Sequence, residues 1–246
     1  MNIFYDVQSG LPRQGPGDRQ STEQAFALCA ELPSHPSVLD VGCGPGAQTM
    51  ALANVCDGTI TAVDNCEEYL EELRRKSQAS PLSSRIIVAN EDMADMSFSD
   101  GQFDLVWSEG AAYIVGIQNA LSTWRSLLRP RAYLAITELV WLTPDPPDEV
   151  ARFFEQEYPA MDDIPGVRQV FSEKDYDLVD DFTLPDSAWW DDYYSPLEAK
   201  LPALQEKYAG DHQALEIVAM TEREIAMRRR FGETYGYQFF VARKQA

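Results

Sequence analysis

Histidine and paired cysteines are scarce in this chain of 246 residues. It has two histidines and four cysteines, Cys29, Cys43, Cys56 and Cys66, with no CxxC pair among them. Zinc sites and disulfide frameworks need closely spaced residues of these types, so we predict neither a metal site nor a disulfide. Unpaired thiols fit a reducing compartment, and we expect a cytoplasmic protein.

Basic residues are also few, since 20 lysines and arginines stand against 40 aspartates and glutamates, a formal net charge of −20. This charge repels phosphate backbones and anionic membrane surfaces, so we expect neither nucleic acid nor membrane as a partner. No uncharged run reaches the length of a transmembrane helix, and the N-terminus lacks the pattern of a secretory signal. Homodimer formation is left open.

The one basic run consists of Arg223 and Arg228 to Arg230. We expect the neighbouring Glu222 and Glu224 to pair with some of these arginines.

Apolar runs alternate with amphipathic stretches through the first 140 residues, as in a parallel sheet between two helical layers. We predict a Rossmann-like α/β fold with a mostly parallel seven-stranded sheet, helices on both faces, an antiparallel last strand and helical insertions. The predicted helices of the first half are 22–32, 46–55, 67–78 and 118–127. The predicted strands are 38–41, 59–64, 85–89, 103–108 and 132–138, followed later by 179–184 and 237–242.

The second half of the chain breaks this alternation and is predicted to hold the insertions. A helix over 147–158 precedes a loop, 162–168, and a short helix near 172–176. A longer insertion, 186–236, is predicted to contain two helices, and Asp211 to cap the second. We expect one domain, 1–246, divided into an N-terminal flap or tail (1–19), a cofactor-binding core (20–141), a first insertion (142–176) and a helical lid (186–236).

A glycine motif is the most informative feature of the sequence. Asp40-Val41-Gly42-Cys43-Gly44-Pro45-Gly46 follows a predicted buried strand, and its glycines let the backbone turn sharply and approach a ligand closely. Asp64 ends the next predicted strand, at the sheet edge where a carboxylate can accept both hydroxyls of a ribose. This arrangement predicts a nucleoside cofactor site that contains Asp40, Gly42, Cys43, Gly44, Gly46, Asp64 and Asn65.

Four motifs together resemble the class I S-adenosylmethionine-dependent methyltransferases, in the branch that acts mostly on small molecules. The glycine motif and Asp64 are followed by Asn90-Glu91-Asp92-Met93 and by Phe103-Asp104-Leu105-Val106-Trp107-Ser108, in the family's order and spacing. The resemblance covers about residues 20–140. It implies S-adenosylmethionine as cofactor, with Asp64 on its ribose, Asp92 and Met93 on its adenine, and Ser108 among the binding residues. The family usually has two glycines where Arg131 and Ala132 stand here.

Methyl transfer from a sulfonium needs an aligned nucleophile more than a dedicated catalytic triad, because the leaving group is already activated. Candidate proton acceptors follow the fourth and fifth predicted strands, at the edge where such sheets bind ligands: Glu109, Tyr113 and Glu138. Aromatic residues of the insertions either fill the core or wall a pocket for an apolar ring or a cationic amine. The predicted substrate-binding residues are Trp141, Trp189, Trp190 and Tyr193.

The turn-rich segment 11–18 has two interpretations. It is either a frayed tail or a flap over cofactor and substrate, in which Arg13 meets a carboxylate.

We therefore predict methyl transfer to a small molecule such as an amine or a phenol. The alternative is a protein that binds S-adenosylmethionine or S-adenosylhomocysteine without catalysis, since the motifs all concern the cofactor. A nicotinamide dehydrogenase is less favoured because of the adenine segment. A methyltransferase for proteins or nucleic acids is disfavoured by the acidity and by the large insertion, which would crowd a large acceptor.

Overall fold

The structure, a computed structural model, describes residues 3–245 and arranges them around one eight-stranded sheet. The strands are β1 (Ser37–Val41), β2 (Thr59–Asp64), β3 (Ile86–Asn90), β4 (Phe103–Ser108), β5 (Leu128–Trp141), β6 (Asp162–Asp163), β7 (Tyr176–Thr183) and β8 (Tyr235–Lys244). The helices are α1 (Ile3–Gln8), α2 (Arg19–Leu28), α3 (Ala47–Val55), α4 (Glu67–Gln78), α5 (Ile117–Leu127), α6 (Asp148–Glu157), α7 (Ile164–Glu173), α8 (Ser187–Trp189), α9 (Ser195–Lys207) and α10 (His212–Phe231). A π-helical turn, Trp190–Tyr194, joins α8 to α9.

The strand order is β3-β2-β1-β4-β5-β8-β7, with β6 paired to the end of β5. Strands β1 to β5 run parallel, and β8 lies antiparallel between β5 and β7. The predicted Rossmann-like fold with its antiparallel last strand is confirmed, and the two-residue β6 is an eighth strand that the sequence pattern did not predict. β4 is buried along its whole length, which explains why it reads as a continuous apolar run.

The order of the strands fixes where a ligand can bind. The chain moves outward from β1 through β2 to β3 and then returns to place β4 on the other side of β1. The loops that follow β1 and β4 therefore separate at the carboxyl edge and leave a crevice between them. The glycine motif follows β1, Asp64 ends β2, and Glu109 follows β4, so all three lie at this edge.

The first insertion differs from the prediction. Residues 162–168 form β6 and the first half of α7 rather than a loop. Of the helix predicted near 172–176, only 172–173 are helical, as the end of α7, and Tyr176 begins β7. Asp163 caps this helix by accepting a hydrogen bond from the Gly166 amide at 2.8 Å, and Pro165 occupies its first turn. Proline and glycine lie in the first turn of a helix here, although the two together are typical of loops.

The backbone of β5 takes a conformation typical of glycine at Arg131, where the family usually has a glycine. Arg131 has a φ of 63°, in the left-handed region that favours glycine. The turn into β5 thus keeps the glycine conformation although the chain supplies an arginine. The carbonyl of Arg131 accepts a hydrogen bond from Arg243 Nε at 3.1 Å, which helps to hold this conformation.

The long insertion packs against the N-terminal helix. Asp6 of α1 accepts hydrogen bonds from Lys207 and Tyr208 at the end of α9. Asp211 caps α10 by accepting from the Ala214 amide at 3.1 Å, as predicted. Among residues 3–245, no helix is both long and apolar enough to cross a membrane.

Candidate active site

A cavity of about 370 Å³ lies at the carboxyl edge of β1, β2 and β4. We call it the glycine-loop cavity. Most of the residues predicted to bind the cofactor line it together: Gly42, Cys43, Gly44, Asp64, Asn65, Asp92 and Met93. Glu109 and Tyr113, predicted as proton acceptors, lie on its opposite wall.

The carboxylate of Asp64 is held by two backbone amides. Its Oδ2 accepts from Gly44 N at 2.9 Å, and its Oδ1 accepts from Cys66 N at 2.9 Å. Gly42 has a φ of 70°, and a Cβ there would collide with Ala111 of the facing loop. Glycine at position 42 therefore allows the two loops to approach closely, and Asp64 fixes the position of the glycine loop.

Three predicted cofactor residues do not line the cavity. Asp40 is fully buried beneath the loop, where it accepts from Thr49 Oγ1 at 2.6 Å and Gln48 Nε2 at 3.4 Å. Burial raises the pKa of Asp40 to about 7. Gly46 precedes α3, and Leu73 of α4 occupies the space that its Cβ would need. Ser108 is fully buried at the end of β4. Asp40 and Gly46 thus support the glycine loop from below.

The N-terminal segment closes one side of the glycine-loop cavity. Arg13 is only 6% exposed and donates to Glu109 Oε2 at 2.5 Å. Glu109 Oε1 accepts from Thr22 Oγ1 at 2.7 Å and Trp107 Nε1 at 2.9 Å. Both oxygens of Glu109 are thus engaged, which does not fit its predicted role as a free proton acceptor. The contact of Arg13 with a carboxylate agrees with the flap interpretation of this segment.

We expect this buried pair to be strongly coupled in a double-mutant cycle of Arg13→Met and Glu109→Gln. Removing one partner leaves the other charge buried and unpaired, so the coupling free energy of unfolding should be about 2 to 3 kcal/mol. The measurement is urea unfolding of the wild type, both single variants and the double variant.

The chain offers a matched control in Arg19 and Glu23, which form an exposed pair at the same 2.5 Å separation. The cycle of Arg19→Met and Glu23→Gln should give no more than about 0.5 kcal/mol. Equal coupling in the two cycles would show that Arg13 does not anchor the segment through its charge.

A second cavity, of about 330 Å³, adjoins the first. We call it the aromatic cavity. Tyr113 and Gly110 line both cavities, as do Gln8, Gln14 and the turn Gly15-Pro16 of the N-terminal segment. Most of its wall is aromatic: Phe153, Phe154, Tyr158, Trp189, Tyr193, Tyr194, Tyr235 and Tyr237. The glycine-loop cavity therefore opens onto an aromatic cavity suited to a small apolar or ring-bearing molecule.

Two of the four predicted substrate residues lie in this wall, and two do not. Trp189 and Tyr193 line the aromatic cavity. Trp141 packs edge-to-face on Phe154 and borders a separate surface cavity of about 170 Å³. Trp190 lies in the π-helical turn, which directs it to the surface, where Arg229 stacks on its ring at 5.0 Å. Neither Trp141 nor Trp190 lines the aromatic cavity, and their assignment to the substrate stays a prediction.

Glu138 lies just behind the aromatic wall. It is 2% exposed, and its Oε1 accepts from Tyr158 Oη at 2.5 Å, while its Oε2 has no hydrogen-bond partner among the described residues. Burial raises the pKa of Glu138 to about 7, against the lowering effect of the Tyr158 hydrogen bond. The ring of Tyr158 lies 6.0 Å from that of Tyr113 between their centroids. A buried carboxylate thus connects through the phenol of Tyr158 to the aromatic cavity.

Several lining residues were not predicted from the sequence. Gln14 lies in the turn-rich segment 11–18, for which a flap over the site was one interpretation, whereas no motif pointed to Gln8. Tyr235 and Tyr237 alternate along β8 and share one face, a signal that could have been used. Glu224 was expected to pair with an arginine, yet it accepts from Tyr194 Oη at 2.7 Å inside the aromatic cavity, and Glu222 pairs with Gln205.

A sequence model of the methyltransferase domain family matches residues 38–131, from β1 into β5. This range holds the glycine motif, Asp64, the adenine segment and β4. The match identifies residues 38–131 as a methyltransferase domain, which agrees with the predicted family. S-adenosylmethionine is the methyl donor after which that family is named.

Individual relatives agree with this family. The chain is 28% identical over 169 residues to the O-methyltransferase cnsE of Penicillium expansum, a match that covers 67% of this chain and 60% of that protein. The chain thus spans less than two thirds of its fungal relative. A methyltransferase from Thiobacillus denitrificans, solved with S-adenosylhomocysteine, has a TM-score of 0.83 at 19% identity and 98% coverage of both chains.

A third likeness concerns the fold. The [4+2]-cyclase SpnF has a TM-score of 0.78 at 16% identity, covering 99% of this chain and 92% of that one. At such identities the likeness shows the fold alone, and the cyclase's name indicates that this fold is not restricted to methyl transfer. The activity has to be argued from the site.

Proposed function

We propose that this chain is an S-adenosylmethionine-dependent methyltransferase that acts on a small molecule held in the aromatic cavity. The observation that carries the proposal is the junction of the two cavities. The glycine-loop cavity gathers the cofactor-type residues, and it shares Gly110 and Tyr113 with an aromatic cavity of similar size. A donor in the first cavity and an acceptor in the second would meet at this boundary.

The residues of the glycine-loop cavity suit the cofactor chemically. Asp64 has free lone pairs beyond its two amide contacts and can accept both ribose hydroxyls. Asp92 uses Oδ1 on the Ala94 amide, which leaves Oδ2 for the adenine amino group. Met93 can pack on the purine, because its carbonyl is fixed by Trp124 Nε1 at 3.0 Å. Gly44 leaves the loop open to the amino acid portion of the donor.

We infer a hydroxyl as the methyl acceptor, since the fungal relative is named an O-methyltransferase. Bound S-adenosylmethionine supplies a methyl group on a positively charged sulfur, so the chain must chiefly align the acceptor and exclude water. As the acceptor oxygen bonds to the methyl carbon, the bonding pair of the broken C–S bond stays on sulfur. Tyr158 Oη accepts the hydroxyl proton while its own proton passes to Glu138 Oε1.

The size of the cavities favours a small acceptor. The aromatic cavity is bounded by α6, by the π-helical turn and α10 of the long insertion, and by the N-terminal segment, so we propose that these elements act together as a lid. A folded protein or a nucleic acid duplex could not enter a space of about 330 Å³.

The test is product formation. The protein is incubated with S-adenosylmethionine and a panel of phenols, alcohols and amines, and both S-adenosylhomocysteine and the methylated product are quantified by mass spectrometry. We expect stoichiometric formation of both with at least one class of acceptor. Tight binding of S-adenosylhomocysteine with no product from any class would favour the non-catalytic binding protein instead.

A further inference from the structure

The aromatic cavity adjoins a third cavity, which also meets the glycine-loop cavity at Gln8 and Tyr69. This outer cavity, of about 450 Å³, lies between α1, α4, α6 and α10. Four residues line both the outer and the aromatic cavity, and we call them the neck: Gln8, Phe153, Glu157 and Glu224. Three of these four side chains carry hydrogen-bond acceptors, and the fourth is an aromatic ring.

The acceptors of the neck are only partly satisfied within the protein, where Glu224 Oε1 accepts from Tyr194 Oη. Gln8 Oε1 is buried and has no hydrogen-bond partner among the described residues. Glu224 is half-buried, and Glu157 is exposed toward the outer cavity; neither forms an ion pair within residues 3–245. Arg223 also lines the outer cavity without pairing to either of them. Two carboxylates without an ion-pair partner and a buried acceptor without a hydrogen bond together make a site suited to a cation.

The charge of Glu224 affects the pKa of a residue on the other side of the aromatic cavity. Burial raises the pKa of Glu224, and the neighbouring negative charge of Glu157 raises it further. Burial raises the pKa of Tyr113, at the boundary with the glycine-loop cavity, and the negative charge of Glu224 raises it further. A cation placed at the neck would relieve this repulsion and would face aromatic rings, which attract cations through their π-systems.

We propose that the neck binds the ammonium group of an amine-bearing acceptor whose ring occupies the aromatic cavity and whose hydroxyl points toward the glycine-loop cavity. An ammonium group carries three N–H donors, which match the three acceptor side chains. In this arrangement the amine anchors the acceptor and a hydroxyl receives the methyl group. This inference rests on the proposed function, because it assumes that the acceptor lies in the aromatic cavity.

The test compares three phenols that differ only in charge: tyramine, its neutral analogue tyrosol, and 4-hydroxyphenylacetate. Calorimetry is run on the protein saturated with S-adenosylhomocysteine, which prevents chemistry, at about 0.15 M salt to screen the overall acidity. We expect tyramine to bind at least about tenfold more tightly than tyrosol, and the anion not to bind. Glu224→Gln and Glu157→Gln should each remove most of that preference by weakening tyramine binding.

The control is Glu222→Gln, which makes the same change of net charge on α10 at an exposed position outside the cavities. It should bind tyramine like the wild type. Equal affinities for tyramine and tyrosol, no binding of tyramine, or equal losses in E224Q and E222Q would each overturn the inference. Failure of S-adenosylhomocysteine to bind at the first step would instead overturn the proposed function, so the two failures are distinguishable.

Discussion

Asp64→Ala is expected to weaken S-adenosylhomocysteine binding by at least about 100-fold, because two hydrogen bonds from ribose hydroxyls to a carboxylate are lost together. The variant also frees the amides of Gly44 and Cys66, which Asp64 holds at 2.9 Å each, so the glycine loop loses its fixed position. Calorimetry measures the affinity. Asp64→Asn, which keeps one oxygen acceptor, should show a smaller loss.

Asp57→Ala provides the matched control for this prediction. Asp57 is an exposed aspartate shortly before β2, so the substitution makes the same change of charge at the other end of the strand. We expect it to bind like the wild type. Comparable losses in Asp57→Ala and Asp64→Ala would mean that the effect is one of overall charge and not of ribose recognition.

Glu138→Gln is expected to lower kcat for a hydroxyl acceptor by about 100-fold, the typical contribution of general base catalysis. The wild-type rate should rise with pH through about 7, because Glu138 must be unprotonated to receive the proton and burial raises its pKa to about 7. The glutamine variant should lose this rise. Tyr158→Phe should also lower kcat, since it interrupts the connection between Glu138 and the cavity.

Asp40 complicates the pH profile, because burial raises its pKa to about 7 as well. Asp40 supports the glycine loop, so we expect its titration to affect the KM for the donor and not kcat at saturating donor. Measuring kcat under saturation separates the two carboxyls. Persistence of the rise of kcat with pH in Glu138→Gln would contradict the assignment of Glu138 as the final proton acceptor.

The first half of the fold could be predicted from the sequence because its signals are local. Buried parallel strands are continuous apolar runs, and helices such as α4 have caps and amphipathic spacing close in sequence. The first insertion was harder to predict, since Pro165 and Gly166 indicate a loop until the cap by Asp163 is known. The left-handed backbone conformation at Arg131 could not be predicted either, because an arginine in the sequence does not indicate a conformation that favours glycine.

The acceptor side of the site could be predicted only in part. Trp189 and Tyr193 were identified as aromatic residues of an insertion, but their neighbours Trp141 and Trp190 point elsewhere, and only the packing of the insertion decides this. Glu109 lies in the cavity as expected, yet its partner Arg13 is 96 residues distant along the chain. Glu224 was assigned to a surface ion pair because spacing along a helix does not show what lies opposite it.

The most direct test of the central claim is calorimetry of the wild-type protein with S-adenosylmethionine, S-adenosylhomocysteine and NAD. The site predicts micromolar binding of the first two and no binding of NAD, because a GxGxG loop with room for an amino acid portion does not provide the pyrophosphate site of a dinucleotide fold. Binding of NAD alone, or of none of the three, would contradict the account.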